Sequence, residues 1–472
     1  MKIMEEISKF LEQVDSIIWG IPLIALILAA GFFLTIRLRG LQIRRLPKAL
    51  KYMVQNEEGG EGEVTSFGAL CTALSATIGT GNIVGVATAI GILAGGPGAL
   101  FWMWVAALLG MATKYAEGFL AVRYRKIDAD GHVLGGPFYY IENGMGQKWK
   151  WLAKCFAFFG ACVGLLGIGT FTQVNGISSA VQSFFDPEKA NTISIFGTEY
   201  SVATIVTAFV LTICVGMVVI GGIKRIAKVS EIVVPFMAAI YILAALVIII
   251  ANIEKLPNAF YEIVTDAFGA RAIAGGTFAS IAIAIQKGVA RGIFSNEAGL
   301  GSAPIAAAAA KTKDPVRQGL VTMTGTFIDT IIVCTMTGLA IVMMGSWSNP
   351  ALEGVQVTTD AFQKGLYFIP SDCASFILML CLVFFAFTTI LGWDYYGEKC
   401  LEYLSNGSQN AVKVYRWLYI LCVFIGPYMT VSAVWTIADI FNGLMAVPNI
   451  IALFALSGVV TRETRAYFKK SK

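Results

Sequence analysis

Apolar runs of membrane-crossing length, divided by short polar links, recur along almost the whole chain. A helix needs about 20 predominantly apolar residues to cross about 30 Å of hydrocarbon. Eleven runs are of that order, approximately 16–36, 66–93, 99–122, 154–182, 202–222, 229–250, 273–294, 320–344, 374–396, 418–430 and 434–460. Only a short polar-poor link near Val431 divides the last two. The pattern predicts an all-α polytopic membrane protein with about 11 transmembrane helices. Met1 to Asp15 is acidic and amphipathic, and the first run is long for a signal core, so no cleaved secretory leader is expected.

One run carries polar residues where its helix should be strongest. Ser75 to Gly85 reads SATIGTGNIVG, with Gly79, Thr80, Gly81 and Asn82 at its centre. A dinucleotide-binding glycine loop is excluded, because the spacing is GxGxxxG and no strand–helix unit surrounds it. Small residues also let membrane helices pack closely, but close packing leaves the threonine and asparagine unexplained. Each mid-helix glycine costs about 1 kcal/mol relative to alanine, which points to a built-in break. Unwound backbone at membrane depth survives only against protein or a water-filled cavity. There, freed amides bind a carboxylate while freed carbonyls coordinate a small cation. Thr77, Thr80 and Asn82 add side-chain oxygens, which hard cations prefer.

A transporter built this way should repeat the break. Five runs later, Ala272 to Pro304 holds paired glycines at 275 and 276 and further ones at 288 and 292. Runs two to six and seven to eleven would then form a 5+5 inverted repeat with two broken helices, plus one extra N-terminal helix. The corresponding parts are residues 1–52 (amphipathic start, extra helix and basic link), 53–255 and 256–472. The second unwinding is expected at 277–283, with Lys287 and Arg291 in an aqueous inner vestibule. The third run of each half adds Gln173 and Asn175, and Thr388, Thr389 and Trp393. Thr389 and Trp393 are i, i+4 neighbours on one helix face. Taken alone, such threonines bond to their own backbone; beside a broken helix they become site candidates.

Composition agrees, at 57% hydrophobic and 14% charged, where soluble domains are about a quarter charged. Most of the 35 lysines and arginines fall in alternate links and in the tail, at 37–51, 123–154, 224–228, 311–317, 399–416 and 462–472. By the positive-inside rule the C-terminus is cytoplasmic, the N-terminus outside, and the protein sits in the cell membrane. This asymmetry accounts for the net charge of +5 without a nucleic-acid partner. Nine cysteines lie scattered without CxxC spacing and read as small core residues. The single histidine, His132, sits in a basic link, which disfavours a histidine metal centre or nucleophile dyad. Lys114 and Glu117 are near i, i+3 partners within a run, and Asp329, Asp394 and Asp439 are single acids. Salt bridges or vestibule positions explain them as well as a proton relay does. Glu297 is a capping or gating residue rather than a ligand.

GGPGALFWMWVAALLG, from Gly95 to Gly110, resembles the signature of the sodium:alanine symporters, the alanine or glycine:cation symporter family. GTGNIVGVATAI and RGIFSNEAGLGSAP are similar to its other recurrent segments, and the likeness runs from about Ser66 to the last helices. Phe101, Trp102 and Trp104 also suit an interfacial aromatic belt. The resemblance implies a leucine-transporter-type fold, no enzymatic activity and no cofactor. It further implies sodium as the coupling ion, with alanine, glycine or serine as cargo and no obligatory protein partner. By that analogy Gly79, Thr80 and Gly81 would hold the substrate carboxylate, with Asn82 and Gln173 nearby. Phe278, Thr389 and Trp393 would line the side-chain pocket. Ser75 and Ile78 carbonyls with Thr388 and Thr389 would form one sodium site, and Thr77 with Asn82 a second. A proton-coupled transporter of the same fold is the alternative. An ion channel would need a through-pore filter, and an enzyme a cluster of acids, a Ser/His pair or metal ligands.

Overall fold

The computed structural model describes residues 2–55, 57, 59–92, 94–195, 198–269, 278–428 and 432–470. In chain order the helices are α1 (Lys2–Ile18), α2 (Ile21–Arg37), α3 (Leu41–Arg44), α4 (Leu46–Val54), α5 (Ser66–Thr77), α6 (Val86–Ile90) and α7 (Gly98–Arg123). Next come α8 (Pro137–Tyr140), α9 (Lys150–Leu166), α10 (Phe171–Phe185), α11 (Val202–Val219), α12 (Gly222–Ala251), α13 (Leu256–Ala267) and α14 (Phe278–Asn296). The last are α15 (Ala303–Ala308), α16 (Pro315–Thr326), α17 (Thr335–Met343), α18 (Val355–Gly365), α19 (Ser371–Leu404), α20 (Gln409–Ile425) and α21 (Ser432–Lys470). Two antiparallel hairpins, Lys126–Ile127 with Val133–Leu134 and Thr192–Ile195 with Thr198–Ser201, lie in links.

Local chemistry sets these boundaries. Thr65, Ser201, Asp314 and Ser408 cap α5, α11, α16 and α20 by accepting a backbone N–H from the first turn, the role short oxygen side chains fill at helix starts. Gly20 divides α1 from α2, where a Cβ would lie 2.8 Å from the Ser16 carbonyl. The first apolar run is therefore two helices, and together they make one span from Lys9 to Arg37. The tenth and eleventh runs become α20 and the 39-residue α21. Among the described residues eight helices are long and apolar enough to cross a bilayer, or nine with one bent pair counted as a span. Apolar side chains turn outward on α11 and α12, as lipid permits; Phe209, Ile213, Ile232 and Leu243 are all more than half exposed. Buried helix α7 lies at the centre, packed by α2, α14 and α16.

Three interruptions shape the interior. The second span breaks between α5 and a π-helical turn, Gly81–Gly85, and bends by 54°. The seventh breaks between α14 and α15. The fourth, unexpectedly, is interrupted at Gly167–Thr170 between α9 and α10. At one end of the bundle, residues 61–64 form bridges with residues 310–312, joining the free end of α5 to the free end of α15. Arg125 clamps this join, its guanidinium donating to the carbonyls of Ala308 and Ala310 at 2.6 Å, Glu61 at 2.7 Å and Thr312 at 3.1 Å. Gly60 and Gly62 permit the approach, since a Cβ on either would lie within 2.6 Å of the opposite backbone.

Candidate functional site

The break in the second span falls at the predicted glycines. Helix α5 ends at Thr77, Ile78 turns extended at φ −78° and ψ 94°, and the freed groups find side-chain partners. Gly79 N–H donates to Asn82 Oδ1 at 2.9 Å and Thr80 N–H to Gln173 Oε1 at 3.3 Å. Thr389 Oγ1 donates to the Ile78 carbonyl at 3.3 Å. Thus α5, α10 and α19 converge on the three residues of the break, Ile78, Gly79 and Thr80. A Cβ on Gly79 would lie 2.5 Å from Thr389 Oγ1, whereas one on Gly81 would make ordinary contact with Phe294 at 3.5 Å.

Several expected ligands point elsewhere. Ser75 Oγ bonds back to Thr72 O at 2.7 Å, and Thr77 Oγ1 to Ala73 O and Leu74 O. These hydroxyls serve their own helix, which leaves the Ser75 backbone as that residue's contribution. Thr388 donates to Phe385 O and faces Met237 Sδ at 3.4 Å. Asn175 ties α10 to the Gly426 carbonyl, away from the break. Trp393 is fully buried and donates from Nε1 to Glu297 Oε1 at 3.0 Å.

That carboxylate marks the break in the seventh span, which the sequence reading placed too early. Residues 278–283 are helical, while Thr277, Gly275 and Gly276 lie outside the described residues. The chain instead unwinds at 297–302, where Glu297, Gly299 and Gly301 have φ of 55°, 90° and 84°. Glycine adopts such angles freely, whereas at Glu297 the angle is one few non-glycine residues adopt. The Phe278 side chain lies outside the described residues. Its backbone starts α14, whose 19 residues rise about 28 Å, so Phe278 is a helix-length from the break. Lys287 and Arg291 correspondingly lie on the half leading away from the Arg125 clamp. With Asp15, Trp19, Phe294 and Asp439 they line a cavity of about 250 Å³.

Glu297 accepts from Ser302 Oγ as well as from Trp393. Gly299 N–H donates to Glu117 Oε1 at 3.1 Å, and Asn449 Nδ2 bonds Glu117 Oε1 at 2.7 Å and Gly299 O at 2.9 Å. The second break is therefore held by α7 and α21. Lys114, also buried, lies on α7 three residues before Glu117.

A further oxygen cluster was not singled out from the sequence. Asn82 Nδ2 donates to Asp329 Oδ1 at 2.7 Å, Ser295 Oγ to Asp329 Oδ2 at 2.9 Å, and Thr330 Oγ1 to the same oxygen at 2.7 Å. Asp329 sits in a π-helical stretch, Phe327–Cys334, between α16 and α17. Such stretches concentrate at functional sites. The carboxylate and the Ser295 and Thr330 hydroxyl oxygens are of the type hard cations prefer, while the Asn82 amide N–H orients the carboxylate; the available signal was one acid inside an apolar run.

Two interrupted helices, facing oxygens and a third interrupted span now stand together. The sodium:alanine symporter family matches residues 4–472. The chain belongs to that family. It is 54% identical to an uncharacterised transporter of Haemophilus influenzae over 99% of this chain and 97% of that one. It is 48% identical to the sodium/alanine symporter AgcS of Methanococcus maripaludis over 96% of both. Among solved structures it resembles MhsT in complex with L-phenylalanine, with a TM-score of 0.58 and 14% identity over 84% of this chain and 90% of that one. The family's members are membrane transporters, and the chain has the leucine-transporter-type fold.

Proposed function

We propose that the protein is a secondary active symporter that couples sodium entry to uptake of alanine and similarly small neutral amino acids by alternating access. The carrying observation is the convergence of two unwound segments, 78–80 and 297–302, with α10 and α19. The substrate carboxylate takes the Thr80 and Gly81 amides, where Gln173 Oε1 now holds the Thr80 N–H as a neutral stand-in. Thr389 and Trp393 stand beside it. One sodium position uses the Ser75 and Ile78 carbonyls with Thr389 and, after a rotamer change, Thr388. A second uses Asn82 with Asp329 and Ser295, whose carboxylate supplies charge that Thr77 lacks.

In this reading the chain forms eleven spans, with a 5+5 inverted repeat over 53–255 and 256–472 and a leading helix within 1–52. Arg37 to Arg45 and Arg462 to Lys470 share one end of the bundle, which supports a cytoplasmic C-terminus and an outer N-terminus. Uptake of labelled alanine into proteoliposomes, with sodium, lithium, potassium or choline as the sole cation, tests the reading. Accumulation should require an inward sodium gradient. Equal uptake with choline, or uptake driven by a proton gradient alone, would replace sodium coupling with the proton alternative.

A further inference from the structure

At the basic end of the bundle, away from both breaks, a cavity of about 420 Å³ opens between α2, α3 and the last turns of α21. Arg37, Arg39, Arg44, Arg45, Arg465 and Lys469 line it together with Phe468, and no acid is among its described lining residues. Elsewhere on this face several basic residues have carboxylate partners: Arg123 has Glu463, Lys150 has Glu142, and Arg416 has Glu398. Charge bias across the membrane requires cations on this side but does not require them to converge without counter-charge.

The guanidinium groups are already oriented. Arg37 donates to Ser457 Oγ at 3.0 Å, Arg44 to Arg39 O at 3.1 Å and Arg465 to Arg37 O at 3.4 Å, while Arg45 lies 4.3 Å over the Phe468 ring. Arg39 at φ 58° and Gly40 at φ 64° fold the chain back so that α2 and α3 both face the cavity. Beside it, Phe32, Ile36 and Ile43 are 57%, 60% and 61% exposed, which gives acyl chains an apolar surface next to the cations.

We propose that this cavity binds the phosphate of an anionic phospholipid headgroup, with the acyl chains along Phe32, Ile36 and Ile43. Arginine's planar fork suits phosphate oxygens, and basic pockets between spans at a membrane surface take acidic headgroups. The site stands whether or not the sodium-coupling reading holds.

Native mass spectrometry of the whole protein in detergent, with phosphatidylglycerol and phosphatidylcholine added in equal amounts, is the test. One phosphatidylglycerol should be retained in preference to phosphatidylcholine. Arg39→Gln/Arg44→Gln, both exposed, and Arg465→Gln/Lys469→Gln as a second pair, should each weaken retention, by about fivefold per cation removed. Millimolar inorganic phosphate should compete only weakly. Equal retention of the two lipids by the parent protein overturns the proposal without any variant. So does phosphatidylglycerol retention that both variants leave unchanged, and displacement of the lipid by inorganic phosphate would assign the cavity to a soluble anion instead.

Discussion

Asn82 Nδ2 lies 2.7 Å from Asp329 Oδ1, while Asn82 Oδ1 receives the Gly79 N–H at 2.9 Å. One amide thus joins the unwound backbone of the second span to the carboxylate of the π-helical stretch in the eighth. Whatever charge enters beside Asp329 is felt at the amide that orders the break. Asp329→Asn keeps the shape and removes the charge. Its sodium requirement for half-maximal alanine uptake should rise at least tenfold, about 1.4 kcal/mol. An unchanged requirement in a folded variant would remove Asp329 from the cation site.

Thr389→Val replaces the hydroxyl that reaches the Ile78 carbonyl with a methyl of similar volume. A hydrogen bond contributes about 1 kcal/mol, so the variant should fold, with a thermal midpoint only a few degrees lower. Sodium titration of uptake should nevertheless shift to higher concentration. Parallel sodium curves for parent and variant would exclude Thr389 as a ligand.

The two glycines of the break should respond differently to one methyl. Gly79→Ala drives a Cβ to 2.5 Å from Thr389 Oγ1 and 3.2 Å from Gln173 Oε1, whereas Gly81→Ala meets only Phe294 and the Ser295 Cα at 3.5 Å. Overpacking of the first kind costs about 1–3 kcal/mol. Gly79→Ala should lose alanine binding by calorimetry, and Gly81→Ala should keep it. Gly81→Leu, in contrast, fills the space beside the carboxylate and should abolish binding.

Trp393→Ala opens volume next to Thr389 and leaves Glu297 Oε1 without the indole N–H. Valine, leucine or methionine should begin to compete with labelled alanine, while alanine itself weakens as contacts to its methyl are lost. Trp393→Phe removes the donor and one ring but keeps an aromatic wall, so its size cut-off should move less than that of the alanine variant. Identical cut-offs in parent and alanine variant would put Trp393 outside the pocket.

His132 lies between Glu402 at 2.8 Å and Glu63 at 3.2 Å in the links of the Arg125 end. The Glu402 hydrogen bond, followed by that to Glu63, raises its pKa from 6.5 to about 9. A raised pKa means the folded state holds the proton more tightly. The stabilisation is complete below about 6.5, and it is lost as the pH climbs through about 9. Thermal midpoints should fall over that window in the parent protein, and His132→Gln should flatten the fall. A parent midpoint that stays level between pH 6.5 and 9.5 would contradict the assignment.

Much of this was readable because membrane helices rarely tolerate what the second span contains. Gly79, Thr80, Gly81 and Asn82 inside an apolar run have few uses besides a break, and the chain does unwind there. The seventh span misled because Gly275 and Gly276 stand within the apolar run, while the unwound residues follow it, beside Asn296 and Glu297. The usable signal was the spacing: Gly299 and Gly301 repeat the GxG of Gly79 and Gly81. Asp329 was visible only as an isolated acid, since its partners Asn82 and Ser295 come from distant helices that only folding brings together. The kink at Gly167–Thr170 depends on Gly169 passing the Trp393 side chain, where a Cβ would come within 2.4 Å. Such tertiary contacts leave no trace in periodicity.

The join of residues 61–64 to 310–312 ties together two helices that the sequence separates by more than two hundred residues. With Arg125 gripping four carbonyls, α5 and α15 share one anchor at their outermost ends while their other ends terminate in unwound backbone. Each is thus a short arm that ends in an unwound segment held by side chains, and the two arms have a common handle. A displacement of either arm is therefore passed to the other through the Arg125 anchor, which couples the two breaks mechanically although they lie far apart in the sequence.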